Sequence, residues 1–230
     1  AFIRSLMISF VRRWGNENRI GGLFGSIDRE GRERVLPWKR SQQAAFIIAC
    51  WQHVHNAVKN SKAEWVRGAA ADFTSRSLAD QRKTNIHDLH PAFAGNTTLL
   101  ATDQGVRSVL VVFNAICQVL YSELDLEAWD SQRVSDSPED EDVSDALEEF
   151  SEMRAANDFL SSAAKALIDG VDWRTSSSNS LSQDERQQQA AFRGSTGYSL
   201  LQSKCLECLQ KSTNKQVSEA AKIAAGLLGR

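Results

Sequence analysis

The stretch GVRSVLVVFNAICQVLYSEL, residues 105–124, decides the fold. Val109, Leu110, Val111 and Val112 would suit a buried strand. Apolar residues then continue at spacings of three and four through Phe113, Ile116, Leu120 and Leu124 with no turn residue, which reads as one buried helix. Thr102 or Asp103 supplies its N-cap. A helix that is apolar almost all round has to be surrounded by other elements. The expected fold is therefore mainly α: a single multi-helix domain around this central helix, with Val109, Val112, Phe113, Ile116 and Leu120 in its core.

Working outward, Ser41 caps a helix running to about Asn60, with Ala45, Phe46, Ile47, Ile48, Trp51, Val54 and Val58 apolar on more than one side. Residues 2–14 carry a further apolar face of Phe2, Ile3, Leu6, Phe10, Val11 and Trp14. The Gly-rich, charged residues 15–38 lack either period, and a minor β-hairpin fits near residues 25–36. A short helix is expected after Asp72, and Pro91 with Gly95 marks a turn. Downstream, residues 130–145 read as an acidic, Ser-rich loop, and a helix spans Val143–Ile168 up to Gly170. Residues 174–184 read as a polar linker, followed by helices at Tyr198–Gln210 and Gln216–Leu228. This organises the chain as a helical core domain over 1–173 with the acidic loop 130–145, a linker over 174–184, and a C-terminal helical segment over 185–230 packing on the core. Residues 131–142 and 174–184 are expected to be exposed.

Composition excludes several classes. With 42% hydrophobic and 24% charged residues the chain is neither a disordered tail nor a membrane protein. In the opening AFIRSLMISFVRRW, Arg4 interrupts the apolar run and Arg12 and Arg13 follow it, the wrong order for a signal peptide and too short a run to span a bilayer. Four cysteines in a chain of this length is ordinary intracellular usage. A cytoplasmic location without a membrane role is the expectation.

The net charge of −2 conceals a sharp division: net +7 over residues 1–90, −13 over 121–172 and +4 over 173–230. Such asymmetry implies an anionic partner on one face, or pairing of the segments with each other. Arg12, Arg13, Arg29, Arg32, Arg34, Lys39 and Arg40 form the basic set, interleaved with Trp14, Phe24 and Trp38. Basic residues with aromatics on a Gly-rich loop suit a nucleic-acid backbone and a stacked base. The acidic residues 136–152 suit a basic protein partner.

Other constellations carry less. Cys205 and Cys208 have half the spacing of a zinc site, but with Leu201 and Leu209 they form a helical apolar face, which reads as reduced, packed thiols. His87 and His90 flank Asp88 ahead of Pro91, as a ligand or acid–base cluster or as caps of a turn. In FRGSTGY, Arg193, Gly194, Ser195 and Thr196 lead into a helix near Tyr198, where backbone N–H groups could hold an anion. No phosphate loop, nucleophile elbow, zincin helix or dinucleotide fingerprint occurs. No catalytic residue, metal or cofactor is therefore expected.

Three strings, in order, resemble the C-terminal half of the DGQHR-domain proteins, the DndB-like group: GSIDREGRERVLPWKRSQQAAF, LHPAFAGNTTLLATDQGVRSVLVVFNAI, and Trp173 followed by AFRGSTGYSLL. The family's name-giving Asp-Gly-Gln-His-Arg motif and its ParB-like front half are absent. The resemblance implies a context of bacterial or phage DNA modification and defence, and it brings no catalytic residue to this chain. The functional expectation is a non-enzymatic module that binds nucleic acid or a partner. The alternatives are a helical adaptor, or the helical part of a split hydrolase whose catalytic half lies elsewhere.

Overall fold

The computed structural model describes residues 22–24, 36, 38–74, 90–94, 97–129 and 140–227. The helix expected at 2–14 and the hairpin near 25–36 fall outside them, apart from Leu36. Eight α-helices lie among the described residues: α1 (Arg40–Asn60), α2 (Glu64–Thr74), α3 (Asp103–Val119), α4 (Asp140–Glu152), α5 (Arg154–Gly170), α6 (Gln183–Ala190), α7 (Gly194–Gln210) and α8 (Lys215–Leu227). The same residues contain no strand; Thr98 and Arg174 make one isolated antiparallel bridge.

The decisive stretch is the helix α3. Thr102 caps it: its Oγ1 accepts from the Gly105 N–H at 3.3 Å and donates to the Leu99 carbonyl at 2.7 Å. Val109, Val112, Phe113 and Ile116 are fully buried, because α7 and α8 pack along α3. The helix stops at Val119, short of Leu124, and turns at Asp125, whose φ is +56°. Leu120 is consequently a half-buried cap residue and not a core position.

A second body of packing forms where α4 and α5 lie against α1. Phe46 on α1 touches Phe24, Trp38 and Phe150 with ring centroids 6.2, 5.1 and 5.5 Å apart, and Trp129 completes the cluster. The Trp38 Nε1–H donates to the Leu126 carbonyl at 3.1 Å, whereas the Trp129 Nε1–H is buried without a hydrogen-bond partner. Helix α5 joins the two bodies, contacting α1 on one side and α7 and α8 on the other. Trp65 and Trp173 seat their Nε1–H groups on the carbonyls of Ile168 and Leu167 at the end of α5, at 2.7 and 3.1 Å.

Several expectations are corrected. A helix that was not singled out lies at Glu64–Thr74; the short helix expected after Asp72 falls on 75–89, outside the described residues. Residues 140–145, read as acidic loop, already belong to α4. The single helix expected over Val143–Ile168 is two, broken at Met153. There the Asn157 side-chain amide donates to the carbonyls of Phe150 and Met153 at 2.7 and 3.0 Å, which also accept from the backbone N–H groups of Met153 and Asn157, so the break is bridged from both sides. The polar residues expected to form an exposed linker are a partly buried crossing: Arg174 is 5% exposed and Thr175, Ser178 and Leu181 are buried, while Ser177, Asn179, Ser180 and residues 182–184 are exposed as expected. Arg174 pairs with Asp172 at 2.7 Å, and the Asp72 carboxylate accepts from the Ser178 hydroxyl and, at 3.1 Å, from the Asn179 N–H. The last two helices begin and end within a few residues of expectation, except that α7 starts at Gly194, a turn before Tyr198.

Candidate functional site

Of the seven basic candidates, Lys39 and Arg40 are described; Arg12, Arg13, Arg29, Arg32 and Arg34 lie outside the described residues. Lys39 is the N-cap of α1 and Arg40 its first residue, and the first turn holds no acidic side chain. The N–H of Lys39 is taken by Gln42 Oε1 at 2.9 Å, and Gln42 Nε2 donates to the Trp129 carbonyl at 2.7 Å, so this end of α1 is pinned to the aromatic cluster. Leu23, Phe24, Leu36 and Trp38 are all buried. The Leu23 N–H donates to Asn114 Oδ1 on α3 at 2.8 Å. In sequence, Arg29, Arg32 and Arg34 fall between the buried Phe24 and Leu36. Arg40 is exposed. Cations at a helix N-terminus oppose the helix dipole, a cost of about 0.3–1 kcal/mol each that a bound anion reverses.

The acidic partner candidate, residues 136–152, is described from 140 onward. Helix α4 lies along α1 and exposes Glu141, Asp145, Glu148 and Glu152 in a stripe opposite its buried Ala146 and Phe150. The acidic stripe thus lies on a helix that packs against α1, whose first residue is Arg40.

Arg193, Gly194 and Thr196 sit at the start of α7; the side chain of Ser195 lies outside the described set. Gly194 has φ +78°, a backbone conformation that glycine adopts without strain. Arg193 turns its guanidinium back to the Ser177 hydroxyl at 3.0 Å. Tyr198 donates its hydroxyl to Asp103, and Arg107 lies over the Tyr198 ring 4.9 Å from its centroid, which ties α7 to the first turn of α3. The hydrogen bond from Tyr198 to the Asp103 carboxylate, followed by burial, raises the phenol's pKa.

The thiols are packed as the spacing suggested. Cys50, Cys117 and Cys205 are fully buried, and burial raises the pKa of each. Cys208 Sγ donates to the Ala166 carbonyl at 3.2 Å, and burial again raises its pKa. Protonated thiols of this kind are poor nucleophiles and poor ligands. His90 accepts from the Ala92 N–H at 3.2 Å through Nδ1 and caps the turn at Pro91–Phe93, so the capping reading holds for it; His87 lies outside the described residues. No group of three or more His, Cys, Asp or Glu residues suited to a metal occurs among the described residues. Nor is any helix among them long and apolar enough to cross a membrane.

One feature escaped the sequence reading. Between α1 and α3 runs a groove of about 840 Å³ lined by Ile47, Trp51, His55, Phe93, Leu100 and Leu110. It explains why α1 is apolar on more than one side: one side builds the aromatic cluster and the other lines the groove. The signal was present in Ile47, Ile48 and Trp51, but the hydropathy pattern does not separate a groove wall from core. Burial lowers the pKa of His55, with a further push from Lys59, so the groove presents a neutral imidazole at neutral pH.

No protein-family model matches the chain, no curated protein matches it, and no solved structure matches it.

Proposed function

We propose that this chain is a non-catalytic helical binding module. On this reading it engages nucleic acid through its basic first part, in the setting of bacterial or phage DNA modification or defence. The observation that carries the reading is the N-terminus of α1. Exposed Arg40 stands at its positive dipole end beside Lys39, and the first turn holds no acidic residue. A polyanion would remove that electrostatic cost, and Trp38 and Gln42 hold the platform rigid.

The test is a titration of labelled duplex and single-stranded DNA at two salt concentrations. Binding that releases counterions falls with salt, with a log–log slope of about −0.9 for each duplex phosphate neutralised. Changing Arg40→Glu together with Lys39→Glu should weaken all sequences alike and flatten that slope by about two units. Absence of salt-sensitive binding to either strand form removes the reading.

A second reading, that of a helical adaptor, is supported by the acidic stripe on α4. If the basic residues serve to pair with Glu141, Asp145, Glu148 and Glu152, the double charge reversal lowers the melting temperature and DNA affinity is nil throughout. The exposed stripe would then meet a basic protein surface.

A further inference from the structure

The start of α7 meets the start of α3 around a cavity of about 270 Å³. Its walls include Thr102 from the cap of α3 and Gln104 from its first turn, Ser176 and Ser177 from the crossing, Gln189 from α6 and Arg193 from the cap of α7. Two helix N-termini therefore open on one small space, and the peptide dipoles of both make it positive. Helix α7 has no side-chain cap and no acidic residue in its first turn, so its leading N–H groups have no partner from its own cap. Arg193 adds a full charge, held at the wall by its bond to Ser177. The carboxylate in the first turn of α3, Asp103, is already engaged by the Tyr198 hydroxyl.

A second observation concerns the neutral wall. Gln189 is only 8% exposed, and its Oε1 is buried with no hydrogen-bond partner. Its Nε2 faces the Asp172 carbonyl at 3.5 Å, and that oxygen would repel the carbonyl end of the amide. The orientation of the side chain is thereby fixed, with Oε1 as an acceptor requiring a donor. The hydroxyl of Ser176 is likewise buried without a partner. Buried polar atoms left unsatisfied cost about 1–3 kcal/mol each. Two on the wall of one cavity call for a guest that accepts from Arg193 and the α7 amides and also donates an O–H.

We propose that this cavity binds a compact oxyanion carrying at least one hydroxyl hydrogen: a hydrogenphosphate or a singly protonated phosphate monoester. Its oxygens accept from Arg193 and the first turn of α7, and its O–H donates to Gln189 Oε1. Free small molecules and the ends of nucleic-acid strands both present such a phosphate, and the chemistry of recognition is the same. The site is separate from the basic end of α1 and does not depend on the reading given above.

The experiment is calorimetric titration of the whole chain with inorganic phosphate and with sulfate, an anion of similar shape that has no O–H at neutral pH. Phosphate should bind saturably and at least about tenfold more tightly than sulfate. Arg193→Gln, a change at an exposed side chain, should weaken both anions. Gln189→Leu should abolish the preference for phosphate while leaving the helical circular-dichroism signal intact. Lys39→Glu with Arg40→Glu should leave phosphate affinity unchanged, which keeps failure here distinct from failure of the nucleic-acid reading. A 5′-phosphorylated oligonucleotide that phosphate displaces, where its unphosphorylated twin is indifferent, identifies a strand end as the source; no difference between the two identifies a free phosphate. Lack of saturable phosphate binding overturns the proposal. So does equal affinity for phosphate and sulfate, or native-like binding by both Arg193→Gln and Gln189→Leu.

Discussion

The body around α1 and the body around α3 solve the same packing problem with opposite materials. Around α1 the contacts are aromatic: Phe24, Trp38, Phe46, Trp129 and Phe150 meet edge to face or tilted, and each ring touches several others. Around α3 the partner helices offer small side chains. Ala220, Ala221 and Ala224 on α8 are fully buried, and Leu201, Cys205 and Leu209 line α7. Large rings hold elements apart and fill the space between them, which lets short segments such as 22–24 wedge in. Alanines let helix axes approach closely, so the α3 body gains its stability from many small contacts. The first kind of core is sensitive to loss of volume, and the second to gain.

The largest expected effect is therefore loss of a ring from the α1 body. Phe46→Ala removes a fully buried side chain that touches three other aromatics, and it should cost about 3–5 kcal/mol in a denaturant titration. A cost below about 1 kcal/mol would show that the cluster collapses around the gap and that the contrast between the bodies is false.

The partly buried crossing over 172–182 joins the ends of α2 and α5 to the approach to α3, so it belongs to neither body. Arg174→Met keeps the length of the side chain and removes its charge. It loses the hydrogen bonds to Asp172 and Ser180, and leaves the Asp172 carboxylate, about a third exposed, without its cation. A destabilisation of about 1.5–3 kcal/mol is expected. The buried bond between Arg174 and Thr175 should also resist limited proteolysis until the substitution is made, so cleavage there in the native chain would contradict the arrangement.

Gain of volume is the converse test. Ala221→Leu places three further carbons where α8 meets its neighbours and should cost about 1–3 kcal/mol. The same exchange at exposed Lys222 supplies the control. If Ala221→Leu is neutral, the α3 body has unfilled space and close approach is not what stabilises it.

These contrasts also show which parts could be read from the residues. The α3 helix was legible because Val109, Val112, Phe113 and Ile116 repeat at helical spacing and a threonine stands at the cap. Its end was not, because the turn at Asp125 carries neither Gly nor Pro, and an aspartate in the left-handed region leaves no mark in a hydropathy pattern. The break at Met153 was hidden for a similar reason: it depends on one side-chain amide, Asn157, reaching back to two carbonyls. The buried part of the crossing reads as solvated because Arg174, Thr175 and Ser178 are polar. Their partners, Asp72 among them, are distant in sequence, and composition carries no record of such pairing. At the candidate sites, the residue types at Lys39–Arg40 and Arg193–Thr196 were visible in the sequence. The convergence of two helix ends on Gln189, and the groove beside α1, arise only from packing.

The smallest expected effect lies where the two halves of α1's environment meet. His53 is half-buried, and its Nε2 pairs with Asn157 Oδ1 at 3.0 Å, the same residue that closes α4. Burial lowers the pKa of His53 below its ordinary value of 6.5, and the bond to Asn157 only partly offsets that. The neutral ring thus belongs to the folded state. As pH falls through 6.5 the unfolded chain takes up a proton before the folded one does, so stability is complete above 6.5 and declines below it. His55 and His90 are lowered in the same direction, again chiefly by burial, and add to the slope. His53→Gln keeps a donor for Asn157 and removes the titration. Melting temperatures between about pH 7 and about pH 5 should fall less steeply for this variant than for the native chain, by the equivalent of under about 1 kcal/mol. An identical slope would mean that His53 remains as accessible to protons as it is in the unfolded chain, and that the Asn157 contact does not confine it.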